Sequence, residues 1–132
     1  DEDTRSFNGI IDAIRMPKDT ASDKKARIDA IEKASQYAAE VPYQVMEMAN
    51  KNCELLEEML KNGNAASITD AGVGALCTIC AIEGAYMNIR INTKDLSDKA
   101  FATSLNNKAE SLLNSSKSRL NKLIAEVHSA IS

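Results

Sequence analysis

Residues 67–92, SITDAGVGALCTICAIEGAYMNIRIN, constrain the fold more than any other feature: 26 consecutive residues carry only three charges, Asp70, Glu83 and Arg90. Gly72, Gly74 and Gly84 interrupt the run, yet it is too uniform for a loop. A long segment of this kind, nearly uncharged and rich in small residues, reads as a helix buried around most of its circumference. Its few polar groups are the first place to look for chemistry.

The flanking segments are helical as well. Over residues 3–16, Phe7, Ile10, Ile11 and Ile14 repeat at the spacing of one buried helix face, and Pro17 ends the pattern. Residues 18–22 form a polar connection in which Thr20 or Ser22 can cap the next helix. That helix is expected over residues 23–62, with Ile31, Ala34, Ala38, Val41, Val45, Met48, Leu56 and Met59 as its buried stripe. Pro42 lies inside it and predicts a kink rather than an end. Gly63 supplies the stop, and residues 64–66 a short turn. Ser67 and Asp70 then have the spacing of a capping box opening the third helix. A fourth helix follows residues 93–97, striped by Leu105, Ala109, Leu112, Ser116, Leu120, Leu123, Val127 and Ala130. At about 1.5 Å per residue the second and fourth helices reach roughly 60 and 50 Å. The expected fold is all-α, an elongated up-and-down bundle of about four helices within one domain, residues 1–132, completed by a second copy or by further helices.

Composition agrees: 44% hydrophobic, only 4% aromatic and no Trp, which favours packed aliphatic helices over a β-sandwich. The net charge of −3, without a basic stripe, argues against nucleic acid. Residues 67–92 are long enough for a membrane span, but Asp70, Glu83, Asn88 and Arg90 interrupt them, so no membrane is expected. Three cysteines cannot all pair within one chain and read as reduced thiols of a cytoplasmic protein.

Several constellations invite a chemical reading. Cys77 and Cys80 form C-x-x-C in mid-helix, where nothing stabilises a thiolate, and they read as buried, inert thiols. With one further cysteine and the single His128, no metal site is expected. His128 has no acidic or hydroxyl companion that would mark it as catalytic. At about 100° per residue, Asp70, Gly74, Cys77, Ala81, Gly84 and Asn88 fall within about 40° of one line. This is a small-residue seam suited to close helix approach, or to a flat ligand in a shallow groove. Glu83 and Arg90 lie on another face, as a buried ion pair or the lining of a polar pocket. Asp1, Asp3 and Phe7 form D-x-D-x-x-x-F, in which Asp3 favours the helix N-terminus.

Taken together, DEDTRSFNGIIDAIRMPKDT, AAEVPYQVME around Pro42, D-A-G-V-x-A from Asp70 and G-A-x-x-N-x-x-I-N from Gly84 resemble the cyclodeaminase domain of the formiminotransferase-cyclodeaminase family. Stand-alone formiminotetrahydrofolate cyclodeaminases and methenyltetrahydrofolate cyclohydrolases share that domain. The resemblance covers essentially the whole chain. It implies an all-α homodimer that closes 5-formiminotetrahydrofolate to 5,10-methenyltetrahydrofolate with loss of ammonia, in histidine breakdown and one-carbon supply. The folate is the substrate and no metal is implied. A fused formiminotransferase domain is a further implied partner. The family's candidate catalytic carboxylate falls on Asp3. Family members begin with an additional segment containing a Gly-Gly-Gly-Ser-type stretch, so the chain reads as the C-terminal two-thirds of the domain.

The residues suit that chemistry. One carboxylate near both nitrogens serves as base and then acid, and intramolecular attack makes a nucleophilic residue unnecessary. Asn88, Arg90, Asn92 and Asp70 are the candidate substrate-binding groups, and Lys94 and Lys99 can attract the carboxylates of a glutamate tail. Two rivals produce the same stripes: a methenyltetrahydrofolate cyclohydrolase and a non-catalytic helical interaction module.

Overall fold

The computed structural model describes residues 1–132, apart from the side chains of residues 65 and 66. Four helices follow one another: α1 (Glu2–Ile14), α2 (Ala21–Asn62), α3 (Ala65–Thr93) and α4 (Lys99–Ala130). α2 packs on all three others, α3 also packs on α4, and α1 touches α2 alone.

Local chemistry fixes the boundaries. Asp1 caps α1 by accepting from Thr4 N at 2.9 Å. Thr20, not Ser22, caps α2, in a capping box with Asp23. The expected Ser67–Asp70 box does not form. α3 opens two residues earlier than expected, and Asn64 Oδ1 accepts from Ser67 N at 3.1 Å. Gly63 ends α2 in an extended conformation, so left-handed freedom is not what it contributes. A Cβ there would stand 2.7 Å from Ser67 Cβ, which makes glycine a requirement of space.

α2 runs unbroken through Pro42. Proline has no N–H, so the carbonyl of Ala38, four residues earlier, loses its helical donor. Asn92, near the end of α3, replaces it: its Nδ2 donates to Ala38 O at 2.9 Å. A defect in one helix is repaired by a side chain 54 positions away.

The core lies between α2, α3 and α4, with Met46, Cys53, Ile82, Ile89 and Leu120 fully enclosed. Gly72 and Gly74 permit close approach: a Cβ would stand 3.0 Å from Val127 Cγ1 and 2.7 Å from Leu56 Cδ2, respectively. Ser116 is buried, and its hydroxyl donates to Asn50 Oδ1 at 2.8 Å.

Several expected core positions face outward. α1 buries Ser6 and Ala13 and leaves Phe7 and Ile14 exposed, because its one neighbour covers only a narrow strip. In α2 the buried stripe passes through Met46, Ala49 and Cys53, so Val45 and Met48 are exposed. In α4 Leu113 is more deeply buried than Leu112, and Ala130 is exposed. Cys53 is the one buried thiol among the described residues, and burial pushes its pKa up, whereas Cys77 and Cys80 are exposed, contrary to expectation. The stretch Ser67–Thr93 is long and apolar enough to cross a membrane, at a mean hydropathy of 1.3, although a third of that window is packed inside the bundle.

Candidate functional site

Asp3 sits in the first turn of α1 and is exposed. Its carboxylate has no hydrogen-bond or ion partner among the described residues, while its backbone carbonyl accepts from the buried Ser6 hydroxyl at 2.8 Å. Beside it, Tyr37 of α2 donates its phenolic proton to Glu2, and this carboxylate raises the phenol above its ordinary pKa. The carboxylate end of α1 is therefore anchored to α2 and its acid is open to a ligand.

The other candidates lie on α3. Asn88 is exposed and makes no side-chain hydrogen bond among the described residues. Arg90 Nη1 donates to Tyr86 Oη at 3.1 Å, and its guanidinium carbon stands 5.9 Å from the Tyr86 ring centre, a cation–π arrangement one helical turn apart. Asn92 commits one amide N–H to Ala38, which leaves its second N–H and its carbonyl oxygen for a ligand. Asp70 is exposed near the opposite end of the helix, roughly 27 Å from Asn88 at about 1.5 Å per residue. The five residues do not meet in one pocket within a single chain, and α1 makes no contact with α3. Glu83 and Arg90 do not pair; Glu83 forms its ion pair with Lys117 of α4.

One groove gathers ligand chemistry. Tyr86, Met87, Arg90, Ile91 and Lys94 line an open trough of about 530 Å³. An aromatic face, two apolar side chains and two cations suit a flat heteroaromatic ring carrying carboxylates. Tyr86, Met87 and Ile91 escaped sequence reasoning, although the four-residue spacing of Tyr86 and Arg90 was a usable signal. A second groove holds Glu57 and Arg119 in a bidentate pair, Nε to Oε1 at 2.7 Å and Nη2 to Oε2 at 2.9 Å. Each partner stabilises the charged form of the other, holding the Glu57 carboxyl down and the Arg119 guanidinium up. The pair neutralises itself, and Lys61 and Lys122 remain as the other cations of this groove. Among the described residues, no group of three or more His, Cys, Asp and Glu side chains gathers to hold a metal.

The family model for formiminotransferase-cyclodeaminase matches residues 1–111. A formimidoyltransferase-cyclodeaminase of Sus scrofa is 34% identical over 119 residues, 90% of this chain and 22% of the relative. A methenyltetrahydrofolate cyclohydrolase of Methylorubrum extorquens is 32% identical over 112 residues, 85% of this chain and 54% of the relative. The crystal structure of a formiminotetrahydrofolate cyclodeaminase from Thermotoga maritima superposes with a TM-score of 0.72 at 19% identity, covering 96% of this chain and 60% of that one. The chain thus spans about half of one of these sequence relatives and about a fifth of the other.

Proposed function

Because the chain belongs to the formiminotransferase-cyclodeaminase family, we propose that it closes 5-formiminotetrahydrofolate to 5,10-methenyltetrahydrofolate with release of ammonia, working in the cytoplasm as a homodimer. The observation that carries this reading is the family match over residues 1–111, which include Asp3, Asp70, Asn88, Arg90 and Asn92. The unpaired cysteines support a reducing compartment.

In the proposed reaction the N10 lone pair attacks the formimino carbon held on N5, and the C=N electrons move to the imino nitrogen. Asp3 accepts the proton lost by N10 and returns it to that nitrogen. A second proton, from solvent, lets the amine leave as ammonia, and the N5 and N10 lone pairs close the methenyl cation. Both proton transfers need a carboxylate free of a fixed partner, which describes Asp3. The Tyr86–Arg90–Lys94 groove suits the ring and its anionic tail.

The test is the rate of methenyltetrahydrofolate appearance from 5-formiminotetrahydrofolate, with wild-type chain and Asp3→Asn. The substitution is expected to lower the rate at least about tenfold. An unchanged rate removes Asp3 from the chemistry. The cyclohydrolase relative favours a second reading, hydrolysis of the methenyl group, because both reactions pass through a tetrahedral carbon between N5 and N10. Consumption of methenyltetrahydrofolate without formation from the formimino compound would select it.

A further inference from the structure

Three consecutive carboxylates open α1, and two of them are already occupied. Asp1 Oδ1 accepts from Thr4 N at 2.9 Å and from Thr4 Oγ1 at 2.8 Å, so it serves the helix as its cap. Glu2 has both oxygens engaged: Oε1 accepts the phenolic proton of Tyr37 in α2, and Oε2 accepts from Arg5 Nη1 at 3.3 Å. Asp3 makes no side-chain hydrogen bond or ion pair among the described residues, while its backbone carbonyl is held by the buried Ser6 hydroxyl.

These contacts act on a helix with one neighbour. α1 packs on α2 and makes no contact with α3. Its buried residues, Ser6 and Ala13, are both small, so packing does little to fix its rotation. Among the described residues, one side-chain hydrogen bond joins each end of α1 to α2: Tyr37 to Glu2 at the first turn, and Arg27 Nε to Ile14 O, at 2.9 Å, at the last. The two ends lie about 18 Å apart at about 1.5 Å per residue. The Arg27 bond therefore leaves the turn that carries Asp3 to be held by Tyr37.

The α2 end of that hold is equally specific. Tyr37 adjoins Ala38, whose carbonyl accepts from Asn92 Nδ2 at 2.9 Å. One level of α2 is tied through Tyr37 to the carboxylate turn of α1, and through Ala38 to the end of α3 that carries Asn88 and Arg90. Because α1 and α3 do not touch, the placement of Asp3 relative to those groups within one chain is set through this level of α2. We propose that Tyr37 is a positioning residue: by holding Glu2 it fixes the first turn of α1, aims Asp3, and keeps the neighbouring carboxylate from taking Asp3's place. The inference rests on the reading of Asp3 as the acid–base group. Neither Tyr37 nor Glu2 is given a contact with substrate. A misplacement of about 1 Å costs a catalytic group up to about a hundredfold in rate, so a partial loss of hold is visible in turnover.

Amide hydrogen exchange and steady-state kinetics of the 132-residue chain test this. Tyr37→Phe keeps the ring and loses the hydroxyl. It is expected to speed exchange over residues 5–8 at least about threefold and to leave residues 82–89 unchanged. The kcat for methenyltetrahydrofolate formation is expected to fall at least about fivefold while KM stays within about twofold. Glu2→Ala should reproduce both effects, and the double variant should be no worse than either single one. Glu2→Gln, whose side-chain carbonyl still accepts the phenolic proton, should keep most of the wild-type kcat. In an Asp3→Asn background Tyr37→Phe should lower kcat no further, because its effect passes through that carboxylate. Arg27→Gln, which cuts the bond at the far end of α1, should leave kcat within about twofold of wild type.

Unchanged exchange over residues 5–8 in Tyr37→Phe overturns the hold itself. An unchanged kcat, a loss that persists in the Asp3→Asn background, or an equal loss from Arg27→Gln overturns the positioning role. A larger loss from Glu2→Gln than from Asp3→Asn makes Glu2 the reacting acid and overturns it as well. A wild-type chain that turns over neither the formimino nor the methenyl folate sinks the folate reading, and the exchange data then decide the hold of Tyr37 on α1 without it.

Discussion

The two faces of α3 are made of much the same residues and live in opposite surroundings. One face, through Ala75, Ile82 and Ile89, is fully enclosed between α2 and α4. The other, through Val73, Met87 and Ile91, is open. Hydropathy cannot tell them apart, since the helix is apolar all round. What separates them is which face found neighbours. The inner face carries the fold and the outer face is available for association and for ligand, so equal composition yields unequal consequences.

Truncation of matched residues is the sharpest way to break that comparison. Ile82→Ala is expected to lower unfolding free energy by about 3 kcal/mol, through lost transfer energy and a cavity. Ile91→Ala is expected to stay within about 0.5 kcal/mol of wild type. Urea unfolding of both variants checks this, and equal losses would mean that the faces do not differ.

A smaller effect separates exposure from engagement. Asn92 is exposed, yet Asn92→Ala should cost about 1–2 kcal/mol, because the buried Ala38 carbonyl then lacks a donor. In a Pro42→Ala background, which restores the helical N–H, the same substitution should cost markedly less. Additive losses in that double-mutant cycle would show that the two defects are unrelated.

The smallest effect concerns Glu32 of α2, whose carboxylate accepts from Ser97 N at 3.0 Å and Asp98 N at 2.9 Å, holding the connection between α3 and α4. These N–H groups, that of Asp98 foremost, hold its pKa below the ordinary 4.5. A depressed carboxyl stabilises the fold fully above its unfolded value and loses that contribution as pH falls through the folded one. The loss is therefore expected below pH 4.5, and Glu32→Gln should flatten that part of a stability profile taken by denaturant titration. An unchanged acid limb in the variant would remove Glu32 from this role.

Much of the architecture was legible from residues alone. Pro17 and Gly63 mark helix ends, Thr20 was a candidate cap, and Leu105, Ala109, Ser116, Leu120, Leu123 and Val127 form the buried stripe of α4. The candidate site was legible only in its parts. Arg90 and Asn88 were visible as polar interruptions of an apolar helix, but the groove also needs Tyr86, Met87 and Ile91, which resemble core residues until the open face is seen. Asn92 looked like a ligand-binding amide, and the clue to its other role was in another helix, at Pro42.

The sequence by itself determined four helices, their ends to within about two residues, and the family, because capping, proline and glycine act within a turn or two and the motifs are contiguous. Only the tertiary structure decided which side of α3 is core, that Cys77 and Cys80 face outward, that Glu83 answers to Lys117, and that Asn92 repairs the gap left by Pro42. Each of these depends on residues far apart in the chain, and a helix apolar on every side holds no local signal for which side will be covered.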